Sequence, residues 1–122
     1  MKRFTNNFGV CIIKLTYGNE VVAMDCITKK HLTTISKIFT AFDKDKDMKD
    51  LLLDVCTVKE LEAIYQRLRV AQMLRLGLSF NQIETKTGIS STTITRVSKA
   101  LKNGKGYNKA FDKYNLSINV DV

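Results

Sequence analysis

The side chains of this chain best equipped for chemistry crowd into one short stretch: Lys86, Ser90, Ser91, Thr92, Thr95, Arg96, Lys99 and Lys102. Short hydroxyls donate and accept hydrogen bonds at close approach, and ammonium and guanidinium groups neutralise phosphate. Together they suit a surface that meets base edges with Ser91, Thr92 and Thr95 while Lys86, Arg96, Lys99 and Lys102 hold a phosphate backbone. None of the leading residues is an Arg, Asn or Gln able to make a bidentate base contact, so water and DNA shape would share the reading. Bond-making chemistry has no comparable foundation. No nucleophile has a base near it in sequence, His31 is the one histidine and opens an amphipathic segment, and there is no glycine-rich phosphate loop. The expectation is a protein that is not an enzyme.

Two helices are needed to present those residues. Ser79-Phe80-Asn81-Gln82 reads as a capping box, in which the serine oxygen accepts from a first-turn amide and Gln82 reaches back. Gly88 stands where the chain must reverse, a position that favours positive φ, and Ser90 is placed to cap the next helix. Ile83, Ile89, Ile94 and Val97 fall at the spacing that packs two crossed helices, leaving the polar and basic set outside. The pattern is a helix-turn-helix. Glu84 departs from it, because such units favour a small residue there.

Charge agrees with that placement. Twenty Lys and Arg face twelve Asp and Glu over 122 residues, a formal net charge of +8. The excess is late in the chain: between Arg75 and Lys113, the cations Arg75, Lys86, Arg96, Lys99, Lys102, Lys105, Lys109 and Lys113 are opposed only by Glu84 and Asp112. Such a footprint predicts binding weakened by salt, since bound phosphates release their counterions. Cys11, Cys26 and Cys56 are widely spaced, with no C-x-x-C and only His31 as a possible co-ligand, so neither a disulfide framework nor a zinc site is expected. Free thiols in a reducing cytoplasm are the simpler reading. Asp43, Asp45 and Asp47 alternate as in a calcium loop, but Met48 stands where glycine is required and Asp54 replaces the bidentate glutamate. No apolar run reaches the ~20 residues that span a bilayer, and the basic start carries no convincing cleavage site.

The remainder reads as a helical domain with an appendage. Val10 to Tyr17 and Glu20 to Ala23 can form a short β-hairpin about Gly18-Asn19, docked on helices or paired with a strand at Leu116 to Val120. From Lys30, Leu32, Ile35, Ile38, Phe39 and Phe42 make one helical stripe, and the mixed charges of 43–47 make a solvated connection before a short helix over Lys49 to Val55. Thr57-Val58-Lys59-Glu60 is a second capping box and opens the longest helix, to about Leu76 before Gly77. Val58, Leu61, Tyr65 and Leu68 line one side of it, and Ala63, Val70 and Leu74 lie about half a turn away. Two stripes require two partners, either the helix's own chain or a second subunit, and Val70 is expected at such an assembly interface. Asn103-Gly104-Lys105-Gly106 is an exit, followed by a short basic helix over Tyr107 to Tyr114. The expected organisation is an appendage over 1–23, a helical domain over 24–114 and a flexible tail over 115–122.

Cys56-Thr57-Val58-Lys59-Glu60-Leu61-Glu62, Gln66-Arg67-Leu68-Arg69-Val70-Ala71, Ile83-Glu84, Thr87-Gly88 and Thr93-Ile94-Thr95-Arg96-Val97 resemble the tryptophan-repressor superfamily, and within it the YerC/YecD-type branch. The resemblance covers about His31 to Tyr114. It implies an all-α domain, an intertwined homodimer, and a second reading helix from each subunit in successive major grooves of double-stranded DNA. In tryptophan-binding members the ligand lies between two arginines and against a threonine, at positions matching Arg67, Arg96 and Thr57. Glycine in those members corresponds to Val97 and a ligand-contacting serine to Ala100, which makes the slot narrower and poorer in hydrogen bonds, so the resemblance offers Thr57, Arg67 and Arg96 as a candidate amino-acid effector pocket that suits tryptophan poorly, and no cofactor is called for. The expected function is a sequence-specific DNA-binding transcriptional regulator, a repressor by kinship, acting in the cytoplasm. The alternative is an interaction or assembly module that uses the helix-turn-helix without specific DNA binding.

Overall fold

The computed structural model describes the backbone of residues 2–5, 11–17 and 20–120 and the side chains of residues 28–120. The thiols of Cys11 and Cys26 and the Gly18-Asn19 turn lie outside the described residues. The chain divides into two compact units, 1–57 and 58–122.

The first unit begins with a three-stranded antiparallel sheet in the order β1-β2-β3: β1 Lys2–Thr5, β2 Cys11–Tyr17 and β3 Glu20–Asp25. The expected hairpin is β2 with β3, in register from Ile12 opposite Asp25 to Tyr17 opposite Glu20. Its further partner is β1, with Lys2 opposite Lys14, and not Leu116 to Val120, which form no strand. Pairing with the nearest stretch of chain closes the shorter loop and loses less entropy. β3 passes directly into α1, Cys26–Ala41, which therefore starts six residues before Leu32, the first residue of the apolar stripe. Thr33, Thr34 and Thr40 return their hydroxyls to the carbonyls of Lys29, Lys30 and Ser36 at 3.1, 3.1 and 2.8 Å, so these residues satisfy themselves within the helix.

The connection expected over 43–47 is shorter, because α2, Asp45–Val55, starts inside it. Asp45 and Asp47 occupy its first turn, where carboxylates complement the positive end of the helix dipole. Asp45 also meets Lys49 at 2.7 Å, and its hydrogen bond and charge raise the Lys49 pKa above the ordinary lysine value. These aspartates serve helix initiation. No described residue from 28 to 57 is buried.

The second unit holds the core. α3 spans Val58–Arg75, α4 Phe80–Thr87 and α5 Ser91–Asn103. Val70, Ala71 and Met73 of α3 pack with Ile83 of α4, Ile94 and Val97 of α5, and Phe111. Val70 is 0% exposed within this one chain, which corrects its expected place at an assembly interface: it is a folding residue. The other stripe of α3 behaves differently, with Val58 81% and Tyr65 46% exposed. α3 ends at Gly77, whose φ of +89° lets the Leu78 N–H donate back to the Met73 carbonyl at 3.1 Å. After α5 the chain forms one turn, α6, Gly106–Asn108, continued by a π-helical turn over Lys109–Lys113. Residues 115–120 have no regular structure, and Val120 packs against the core.

Candidate nucleic-acid interface

Both helices of the helix-turn-helix, α4 and α5, start as their sequences require. Ser79 Oγ accepts from the Gln82 N–H at 3.2 Å, and Gln82 Oε1 accepts from the Ser79 N–H at 2.8 Å, completing the capping box of α4. Ser90 Oγ accepts from the Thr93 N–H at 3.3 Å and lies 3.1 Å from the Thr93 hydroxyl, so it caps α5. Between them Gly88 takes φ 71°, ψ 6° and ends α4 with its N–H on the Glu84 carbonyl. Thr87 adds a feature that sequence reading missed. Its hydroxyl donates to the Ile83 carbonyl at 2.6 Å and accepts from the Ile89 N–H at 3.1 Å, tying the two sides of the turn. The signal available beforehand was only a threonine one position before the glycine.

Packing fixes which side of α5 faces outward. Ile83, Ile94 and Val97 are buried and Ile89 is half-buried against them, as their spacing predicts. Ser91, Thr92, Thr95, Arg96, Lys99 and Lys102 are all exposed, and their separations of three and four residues align Thr92, Thr95, Arg96, Lys99 and Lys102 in one strip. Lys86, in the last turn of α4, and Ser90 are exposed beside it in the chain. Glu84 is exposed as well, so its carboxylate stays in water and the interior needs no partner for it.

The residues matched to an effector slot are Thr57, Arg67 and Arg96. Thr57 belongs to the first unit, while Arg67 on α3 and Arg96 on α5 belong to the second. Both arginines are exposed, and Val97 is 1% exposed, its side chain committed to the core. Among the described residues no group of three His, Cys, Asp or Glu is arranged to hold a metal ion. No helix of the described residues is long and apolar enough to cross a membrane.

A further set of contacts holds the end of α5. Arg75 donates through Nη1 to Asn108 Oδ1 at 2.9 Å and through Nη2 to Asp112 Oδ1 at 2.5 Å, and its guanidinium lies 5.1 Å from the Phe111 ring centroid. Asn108 Nδ2 in turn donates to the Leu101 carbonyl in the last turns of α5, at 2.8 Å. The end of α3, the end of α5 and the segment after it are thereby joined through two side chains.

The Trp repressor protein family model matches residues 30–115. The chain is 37% identical over 83 residues to YerC of Bacillus subtilis (strain 168), an uncharacterised protein, covering 65% of this chain and 80% of that one. A TrpR-like protein from Eubacterium eligens ATCC 27750 superposes with a TM-score of 0.65 at 30% identity, covering 74% of this chain and 94% of its own. A proposed Trp repressor from Staphylococcus aureus gives the same TM-score and identity, with 77% and 98% covered. The helix-turn-helix lies wholly within the matched region, and this chain belongs to the Trp repressor family, as a TrpR-related protein of the YerC type.

Proposed function

We propose that the protein is a sequence-specific DNA-binding transcriptional regulator, a repressor that acts in the cytoplasm as a homodimer with α5 of each subunit in the major groove. The observation that carries this reading is the division of α5: Ile94 and Val97 are buried, and Thr92, Thr95, Arg96, Lys99 and Lys102 are exposed along one strip. A helix so divided can approach a duplex with its polar face without disturbing its own core. Ser91, Thr92 and Thr95 meet base edges and nearby phosphates, and Lys86, Arg96, Lys99 and Lys102 hold the backbone. Ser90 has its oxygen engaged in capping and contributes by fixing the helix start close to phosphate.

The dimer rests on apolar surface that one chain leaves uncovered. Leu32, Ile35 and Ile38 on α1 and Val58, Ile64 and Tyr65 on α3 are all exposed. A second copy of this chain is the partner that such stripes fit in this family, and it supplies the two-fold symmetry of the site that is bound.

The test is selection of bound duplexes from a random pool, with and without added amino acids, followed by titration of the selected duplex against a scrambled competitor. The expected result is preference for the selected sequence, lost progressively as salt rises. Arg96→Ala and Lys99→Ala should each weaken binding on every duplex and lower the slope of log K against log salt by about 0.9, while the melting temperature stays close to that of the parent. Equal affinity for selected and scrambled duplexes would overturn specific reading and leave the assembly-module alternative.

A further inference from the structure

We propose that Lys109 and Lys113, continuing from Lys102, form a second phosphate-binding ridge that grips the duplex backbone outside the stretch read by α5. This rests on the DNA-binding reading and extends it to residues beyond the helix-turn-helix.

Placement follows from the anchors. Tyr107 packs against the core and Phe111 is buried in it. Lys109 and Lys113 each follow one of these anchors by two residues, which turns them to nearly the opposite side of the helical segment. Both are exposed, and neither they nor Lys102 has a carboxylate within ion-pair distance among the described residues. They flank an open groove of about 320 Å³ lined by Gly104, Lys105, Asn108, Lys109, Asp112 and Lys113. Asp112 is the single carboxylate in that lining, and its charge is already met by Arg75. The local surface is therefore cationic, and its one opposing charge is spent internally.

Its chemistry selects the partner. Protein docking sites concentrate their energy in buried aromatic and arginine anchors, whereas this surface offers lysines, which act as strongly hydrated point charges on flexible stems. Such groups suit a repeating, solvated polyanion. The backbone beneath them is held firmly: Phe111 is sunk in the core, Arg75 bridges to Asn108 and Asp112, and Asn108 is bonded to the end of α5. The π-helical turn over Lys109–Lys113 is a rare geometry that recurs at functional sites. Since this segment is tied to the last turns of α5, a phosphate contact made through it also fixes the angle at which α5 enters the groove.

The test compares the full-length chain with Lys109→Gln/Lys113→Gln on the selected duplex over a range of salt. Each lost phosphate contact removes about 0.9 from the slope of log K against log salt, so between about 50 and 200 mM salt the parent should lose about tenfold more affinity than the double variant. The weakening should be equal on selected and scrambled duplexes, because phosphate carries no sequence. Lys109→Arg/Lys113→Arg should restore the parent slope, which separates charge from any disturbance of folding. A Gln variant with the parent slope, or an Arg variant that fails to recover it, would overturn the ridge while leaving the α5 reading intact. A parent that shows no salt-dependent duplex binding would overturn both, and Thr95→Ala, at a residue placed against base edges, distinguishes the two surfaces because it alone should reduce discrimination between sequences.

Discussion

Gly88 and Thr87 make the reversal between α4 and α5, and they do it by different means. At Gly88 an added Cβ would meet nothing within 4 Å, so the glycine is required by its φ of +71° rather than by space. Gly88→Ala should therefore cost about 1–2 kcal/mol without disturbing any neighbour, and Gly88→Asn should cost less, because asparagine tolerates the left-handed region. Thermal melting of both variants checks this, and a larger loss for asparagine would contradict a purely conformational origin. The glycine, Ser79 with Gln82 and Ser90 were legible in sequence because helix caps act over three or four residues. The double role of the Thr87 hydroxyl was not, since threonine in that place has several local partners available and only the folded turn selects among them.

Helix α3 illustrates how far periodicity reaches. Its two apolar stripes were apparent from spacing, yet spacing ranks neither: Val70 is fully buried within one chain and Val58 is exposed. The choice depends on where α4 and α5 fold back, which is tertiary information. The segment after α5 gives the complementary case. A short basic helix was expected at Tyr107 to Tyr114, but Phe111, set among polar residues, gave no periodic sign of being the anchor. Its burial and the Arg75 bridge predict unequal costs. Phe111→Ala should destabilise the second unit by about 3–5 kcal/mol, the range for a large aromatic removed from a core. Arg75→Ala should cost less than about 1.5 kcal/mol, because an exposed ion pair contributes at most about 1 kcal/mol and the ring contact a fraction more. Chemical denaturation of the two variants measures both, and a cost for Arg75 as large as that for Phe111 would mean that the bridge, not the ring, secures this segment.

At the scale of the molecule the two units differ in how much they bury. The second contains every buried side chain among the described residues, from Val70 to Phe111, and its helix-turn-helix was legible because capping, a glycine and a helical period all act locally. The first was legible only in part. Its β2-β3 hairpin follows from a run rich in β-branched and aromatic residues ahead of Gly18-Asn19, whereas the choice of β1 as third strand is a competition between segments that no local pattern records. More consequentially, α1 and α2 are amphipathic helices with no buried residue among those described, and an apolar stripe in water gains stability only by being covered. If a second copy of the chain provides that cover, folding and association are one equilibrium, and the melting temperature must rise with protein concentration. Ile35→Asp/Ile38→Asp places two charges in the α1 stripe without touching the core of the second unit. Sedimentation should then show a monomer where the parent is a dimer, and melting should become independent of concentration. The helix-turn-helix, whose core residues all lie in the second unit, should keep its helical signal, while affinity for a two-fold site falls toward that of a half-site. A variant that remained dimeric with full affinity would place the subunit contact elsewhere, and the exposed stripe of α3 from Val58 to Tyr65 would be the next surface to charge.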